Sequence, residues 1–469
     1  MPRHVFGSRA YALFALGMVA FTLYGSYVPF RYRARPWAEV VDSFQWAMEN
    51  RLALESRSDW VSNCMLGIPL GFCLLAAFRV DRSSRSITAL IGLAILPLCV
   101  AFAAVVEFGQ LYFPGRTCAG SDVWAQGTGA VIGIFGWILW GQWGTDKIRS
   151  AFQQPGQQGN TAVLLLGYGF FVLLVQLLPL DLTISPSALY RKARDSHEVT
   201  VIPLGEFDWE PGRPVLNKGK KIQDWLELVA LCWPLGALLT GLPGKWRSLN
   251  GLPRVFGSAV LLSGFLELGQ LTVSRHPSIT DILVLTFGIL LGWVLALALA
   301  DRGVRKYRLE VALILGQLWF AALALIHWHP FDFGPELLGD RLHDLDWMPM
   351  AGQASKNYLW ALNEVLTKFT LFLPIGALAV WSRKSSAVRP GLLVPVLFSG
   401  VVAAILEFGQ AIIPSRTASP TDVLFGLVGG WIGADVTRRL VGGSRRELML
   451  PAQPGRAKAR ATPLHLRGQ

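Results

Sequence analysis

Charge is scarce in this chain. Asp, Glu, Lys and Arg make up 16% of its 469 residues, against about 25% in average soluble proteins. That scarcity, with 52% hydrophobic residues, excludes a disordered chain and an ordinary soluble enzyme. Cysteine is also scarce. There are five, Cys64, Cys73, Cys99, Cys118 and Cys232, with no Cys-x-x-Cys pair, so neither a disulfide framework nor a metal cluster is expected. Four of them lie in apolar stretches and read as small buried hydrophobes. No Walker loop, Gly-x-Ser-x-Gly or His-Glu-x-x-His occurs where it could act, which leaves ATP-driven transport and the common hydrolase mechanisms without support. No cofactor is expected.

What the chain has is long apolar runs. A bilayer-spanning helix needs about 20 mostly apolar residues, and twelve stretches qualify: 10–30, 60–79, 87–113, 120–141, 161–181, 224–241, 251–273, 279–300, 308–329, 359–381, 390–413 and 420–441. The fold class expected is all-α, a polytopic transmembrane helical bundle. The first stretch has no small-residue cleavage site and runs into Pro29-Phe30-Arg31, so it reads as a retained helix. The net charge of +12 would raise nucleic acid in a soluble protein. Here the excess lies in short loops (Arg79, Arg82, Arg85; Lys147, Arg149; Arg302, Arg305, Lys306; Arg383, Lys384) and beyond Arg438. That distribution puts both termini in the cytoplasm by the positive-inside rule. The long segments 31–59, 182–223 and 330–358 then face outward, and no nucleic-acid partner is expected.

The chain is also triplicated. Glu107-Phe108-Gly109-Gln110 recurs as Glu267-Leu268-Gly269-Gln270 and as Glu407-Phe408-Gly409-Gln410. An Arg follows in a short loop (Arg116, Arg275, Arg416), and six residues on comes an Asp (Asp122, Asp281, Asp422) preceded by Ser or Thr. A Gly-x-x-x-Gly follows each Asp: Gly129/Gly133, Gly288/Gly292, Gly429/Gly433. Upstream stand Pro69/Gly71, Pro234/Gly236 and Pro374/Gly376, each with an acid ten residues before its Pro: Asp59, Asp224 and Glu364. The boundaries that follow are 1–150, 151–303 and 304–441, with a basic, disordered cytoplasmic tail at 442–469. Each unit has four helices, so all three share one orientation, about an axis along the membrane normal.

The positions carry physical meaning. Glu and Gln three apart share a helix face. The Ser/Thr-Asp pair opens the fourth helix, where it can cap free N–H groups and its charge suits the helix N-terminus. The glycine pairs allow close helix approach. An acid, a Glu-Gln pair, an Arg and an Asp can therefore converge at the outer mouth of each bundle. Three readings of the Glu stand open: a structural ion pair with the Arg of its own unit, a ligand or headgroup site, and acid–base catalysis.

These residues resemble the VanZ-like family. Unit one fits best, with Asp59, Asn63, Ile68-Pro69-Leu70-Gly71, Glu107, Gln110, Arg116, Asp122 and Gly129. Unit three follows with Glu364, Leu373-Pro374-Ile375-Gly376, Glu407, Gln410, Arg416 and Asp422; unit two keeps Glu267, Gln270, Arg275 and Asp281. The family's Asn four past the Asp is Gln126, Leu285 or Gly426 here, and the Asn63 position is Leu228 or Lys368 in the later units. The resemblance implies a protein of the cell envelope, in the inner membrane, linked to resistance to glycopeptides of the teicoplanin type. Its expected partners are membrane lipids and, by resemblance, an envelope glycan precursor or glycopeptide. It supplies no biochemical activity: a binding protein, a transporter or lipid flippase, and an enzyme acting on an envelope lipid all stand open.

Overall fold

A computed structural model describes residues 7–49, 57–153, 157–178, 180, 185–194, 199–200, 202–204, 215–242, 244–334, 336, 338–339, 347–350, 358–383 and 391–449. Among these there is no strand, only one isolated parallel bridge between Thr200 and Ser278. Ten helices are long and apolar enough to cross a membrane. Large apolar side chains such as Leu90, Leu93, Leu98, Leu261, Phe265 and Phe408 stand exposed on the outside, as a lipid-facing surface requires. The chain is a multi-pass membrane protein.

Unit one comprises α1 (Ser8–Tyr27), α2 (Trp37–Glu49), α3 (Arg57–Arg79), α4 (Arg85–Gln110), α5 (Gly120–Gly136) and α6 (Gln142–Gln153). Unit two comprises α7 (Gln157–Leu177), α8 (Pro186–Arg194), α9 (Val215–Leu239), α10 (Leu252–Gln270) and α11 (Ile279–Ala300). A short α12 (Arg302–Lys306) leads to unit three: α13 (Arg308–Trp328), α14 (Tyr358–Trp381), α15 (Leu393–Ala411) and α16 (Pro420–Met449).

Four features differ from the sequence reading. Two of the twelve expected spans do not meet the length and apolarity of the ten. Thr161–Leu177 is shorter, and α16 carries Asp422, Asp435 and several glycines within its apolar run. Both are nevertheless helical. Segments 31–59 and 182–223 each contain a helix, α2 and α8, too short and too polar to register as spans. A five-residue π turn, Trp137–Gly141, carries α5 on into α6, because the buried Trp137 ring folds over Gly141, whose Cβ it would overlap. Finally, α16 runs on through Met449, so residues 442–449 are helical where an unstructured tail was expected. A helix already nucleated in the membrane extends at little cost, each added residue gaining a hydrogen bond. Residues 450–469 lie outside the described part.

The second and fourth helices of each four-helix repeat, α3 with α5, α9 with α11 and α14 with α16, cross at glycine. A Cβ on Gly71 would lie 2.5 Å from Ala130 O, and one on Gly133 would lie 2.0 Å from Ile68 O. The same crossing recurs at Gly236 against Ile289 O and Gly292 against Trp233 O, and at Gly376 against Gly430 O and Gly433 against Leu373 O. The Pro-x-Gly and Gly-x-x-x-Gly pairs are thus two halves of one contact, backbone on backbone.

Units two and three embrace each other reciprocally. Leu226 of α9 packs into the core of unit three, and Leu366 of α14 packs into the core of unit two; both stand eight residues before the Pro of their unit. Gln223 Nε2 donates to Leu325 O and Ile326 O at the end of α13, at 3.2 and 2.8 Å. The Asn363 amide donates to Val175 O near the end of α7 and accepts from Arg275 Nη2, both at 3.1 Å. Gln223 and Asn363 are equivalent in the repeat, so an internal pseudo-twofold relates the two units. Unit one joins this pair through Tyr24, whose hydroxyl donates to Pro349 O at 2.5 Å.

Candidate functional site

The motif residues gather at one end of each bundle, where the third helix ends and the fourth begins. Each fourth helix starts with an unpaired set of backbone N–H groups. The Asp is its third residue, and the N-cap position before it is Ala119, Ser278 or Ser419. A carboxylate from the neighbouring helix, rather than a local side chain, takes the N-cap N–H. Glu107 Oε2 accepts from Ala119 N at 3.1 Å, Glu267 Oε2 from Ser278 N at 3.1 Å, and Glu407 Oε2 from Ser419 N at 2.7 Å. In a capping box a Glu of the same helix does this; here the Glu does it from one helix away. The three carboxylates are 1%, 2% and 7% exposed, so a hydrogen bond to each is obligatory.

The Gln completes the arrangement. Gln270 Nε2 donates to Glu267 Oε1 at 2.9 Å. The Gln110 amide donates to Glu107 Oε2 at 3.2 Å and to Thr117 O at 2.9 Å. Gln410 is buried at the corresponding place.

The Arg does something the sequence reading did not anticipate. Glu107 and Glu407 make no ion pair with the Arg of their own unit among the described residues, because each guanidinium turns to the carbonyls that close the first helix. Arg116 Nη2 donates to Gly25 O at 2.9 Å and Val28 O at 2.5 Å. Arg275 reaches Leu178 O at 2.8 Å and Val175 O at 3.3 Å; Arg416 reaches His329 O at 2.8 Å and Ile326 O at 3.3 Å. A helix C-terminus offers free carbonyls and a partial negative charge, which a five-donor guanidinium matches in one plane. Arg116→Lys is therefore expected to cost about 1–2 kcal/mol, since one ammonium cannot reproduce the fork. A lowered thermal midpoint of the purified variant checks this, and an unchanged midpoint counts against the cap.

With Glu and Arg occupied in the scaffold, the remaining motif residues face the mouth. In unit one Gln126 Nε2 donates to Asn63 Oδ1 at 3.0 Å, and Asn63 Nδ2 to Asp59 O at 3.2 Å. Asn63 and Gln126 are buried, Asp122 is partly exposed and Asp59 is open to solvent. Asp281 of unit two is partly exposed. In unit three Lys368 replaces the Asn, and its Nζ lies 2.5 Å from Asp422 Oδ2 and 2.9 Å from Glu364 Oε1.

Segments between the first and second membrane helices of each unit lie across these mouths. In units two and three Leu204 N and Met350 N each donate at 2.9 Å to Thr280 Oγ1 and Thr421 Oγ1. Both residues have positive φ, 61° and 62°, and each follows a proline, in Ile202-Pro203-Leu204 and Met348-Pro349-Met350. That shared tripeptide pattern was the signal sequence reading missed. In unit one α2 lies over the end of α4, with the Trp37 and Phe44 rings each 5.4 Å from Phe108.

Cys118, in the loop of unit one, reports the local field. Burial, then the carboxylates of Glu107 and Asp122, push its thiol up to about 12. The reactive species is the thiolate, so Cys118 should react with maleimide at pH 8 far more slowly than a model thiol. The rate should rise in Glu107→Gln. A Cys118 that reacts at the free-thiol rate in the wild type would contradict this environment.

The profile of the VanZ/LLP1 family matches the chain three times, over residues 10–141, 162–300 and 313–441. No curated protein and no solved structure matches it. With the repeated motif and its common geometry, these matches cover most of the sequence: the chain belongs to the VanZ/LLP1 family, as three tandem VanZ-like units.

Proposed function

We propose that the chain is an envelope protein of the inner membrane that binds a lipid headgroup, a glycan precursor or a glycopeptide-type ligand at the polar mouths of its units. Both termini lie in the cytoplasm in this reading, and the mouths face outward. The observation that carries it is the division of labour at the motif end. Glu and Arg serve as helix caps, while Asp59, Asn63, Asp122 and Gln126 of unit one gather as a polar group at the same end. Polar groups at the end of a membrane bundle mark ligand or ion sites more often than structure alone requires. The family resemblance adds teicoplanin-type resistance as the phenotype to examine.

The test uses the full chain purified with its native lipids. Mass spectrometry of the co-purified material should find an envelope lipid or glycan precursor that is lost in Asp122→Asn while protein abundance stays unchanged. Equal recovery from both proteins would reject a ligand site in unit one. A reporter fused after Arg383 should read cytoplasmic, and one inserted within 336–350 should read external.

One feature favours transport as a second reading. Units two and three are related by a pseudo-twofold through their second helices, the relation between halves in parallel-repeat transporters. Reconstituted vesicles that flip or accumulate the ligand, and stop doing so in Asp122→Asn, would favour it.

A further inference from the structure

In unit three the chain fills its own mouth. The ammonium of Lys368 lies 2.5 Å from Asp422 Oδ2 and 2.9 Å from Glu364 Oε1. Glu364 and Lys368 stand one turn apart on α14, and Asp422 reaches the same ammonium from the first turn of α16. Two carboxylates from two helices thus share one cation. Asp422 is only 6% exposed, and a carboxylate so far out of water needs such a partner.

The other units keep the acids and change the residue between them. The crossing of the second and fourth helices uses equivalent positions: Gly376 meets Gly430 O and Gly433 meets Leu373 O in unit three, while Gly71 meets Ala130 O and Gly133 meets Ile68 O in unit one. Asp59 and Asp122 are therefore the counterparts of Glu364 and Asp422, and Asn63 stands where Lys368 does. Asn63 faces the fourth helix as Lys368 does, because its Oδ1 accepts from Gln126 Nε2 at 3.0 Å, one turn inward of Asp122. It brings no charge. Asp59 is exposed and Asp122 is partly reached by solvent, where Asp422 is buried. In unit two the place belongs to Leu228, which packs with Leu285 into the apolar core.

We propose that the mouth of unit one takes a primary ammonium group between Asp59 and Asp122, in the seat that Lys368 fills in unit three. Unit three is then occupied by its own lysine and unit two is closed by leucine, so the chain has one such site. An ammonium suits the seat better than a metal ion. Its three N–H donors match single oxygens on separate helices, and no group of three or more metal-ligating side chains comes together among the described residues. The ammonium belongs to an aminophospholipid headgroup or to a free small amine. The assignment rests on the reading of this mouth as a ligand site and names the class of its ligand.

The detergent-purified chain should bind n-butylammonium saturably, at one site per chain. Tetramethylammonium, which has no N–H to donate, should not compete. In Asp122→Asn the affinity should fall about tenfold, as loss of a charge-assisted hydrogen bond predicts. Lys368→Ala empties the seat of unit three and should raise the stoichiometry to two. Asn63→Lys covers the case in which that variant fails to fold: a tethered ammonium in unit one should abolish the wild-type site. Nanodiscs of equal phosphatidylethanolamine and phosphatidylcholine separate the sources. Retained lipid enriched in phosphatidylethanolamine marks a headgroup, and n-butylammonium binding without that enrichment marks a free amine. No binding in either arm, competition by tetramethylammonium, unchanged stoichiometry in folded Lys368→Ala or full binding in Asn63→Lys overturns the proposal. If both amine arms fail while a ligand lost in Asp122→Asn still co-purifies, the ammonium assignment falls and the unit-one ligand site stands.

Discussion

Gly133→Ala is expected to abolish most of the folded protein, and so are its counterparts Gly292→Ala and Gly433→Ala. The added Cβ would lie 2.0 Å from Ile68 O in unit one, 1.8 Å from Trp233 O in unit two and 2.1 Å from Leu373 O in unit three. Backbone carbonyls cannot rotate aside as a side chain can, so the two helices must separate along their whole crossing. Overpacking costs about 1–3 kcal/mol at an ordinary core site and more where backbone is the obstacle. In a membrane the loss is greater still, because close packing rather than the hydrophobic effect holds the helices together. Gly17→Ala and Gly167→Ala provide the contrast, since a Cβ there meets nothing within 4 Å. They should be neutral or slightly stabilising, Ala being the better helix former by about 1 kcal/mol. Size-exclusion profiles of all five variants decide the matter. A monodisperse Gly133→Ala protein with the yield of Gly17→Ala would show that the crossing is looser than described.

The second large effect is expected at the glutamates. Glu267→Ala removes the acceptor of Ser278 N and of the Gln270 amide together. Each is a buried donor left without a partner, and together they should cost about 3 kcal/mol. Glu267→Gln keeps a carbonyl oxygen for the N–H and loses only the favourable charge at a helix N-terminus, about 1 kcal/mol. The thermal midpoint should therefore fall in the order wild type, Gln, Ala. The same order should hold at Glu107 and Glu407, because the same bond recurs there. A pattern in which Gln is as damaging as Ala would mean that the charge matters more than the cap. Ligand binding lost at unchanged stability would return the Glu to the ligand site.

The repeat, its family and the gathering of motif residues at one end could be read from the sequence, because they rest on spacing. Glu107 and Gln110 share a face by helical period alone, and the Asp opens the fourth helix because an apolar run begins there. The glycine pairs announced close approach, though not that Gly71 and Gly133 meet across one crossing. What spacing could not reveal is the partner of a polar group. Glu and Arg in one short motif leave an ion pair as one of three readings. Yet a buried helix start offers N–H groups and a helix end offers carbonyls, and these satisfied the two side chains separately. Lys368 registered only as a departure from an expected Asn; its role emerged when α14 and the start of α16 were seen to meet. The helices α2 and α8 were missed because short amphipathic elements leave no span-length signal.

Three parallel units must place their motif ends on one side of the membrane. Thr117, Ser274 and Ser415 are exposed beside Arg116, Arg275 and Arg416. Each can be changed to Cys in a chain whose native cysteines have been replaced. A membrane-impermeant maleimide applied to intact cells should label all three positions from outside. Labelling of any one only after the cells are opened would place its unit the other way up, and the parallel arrangement of three equivalent mouths would be wrong.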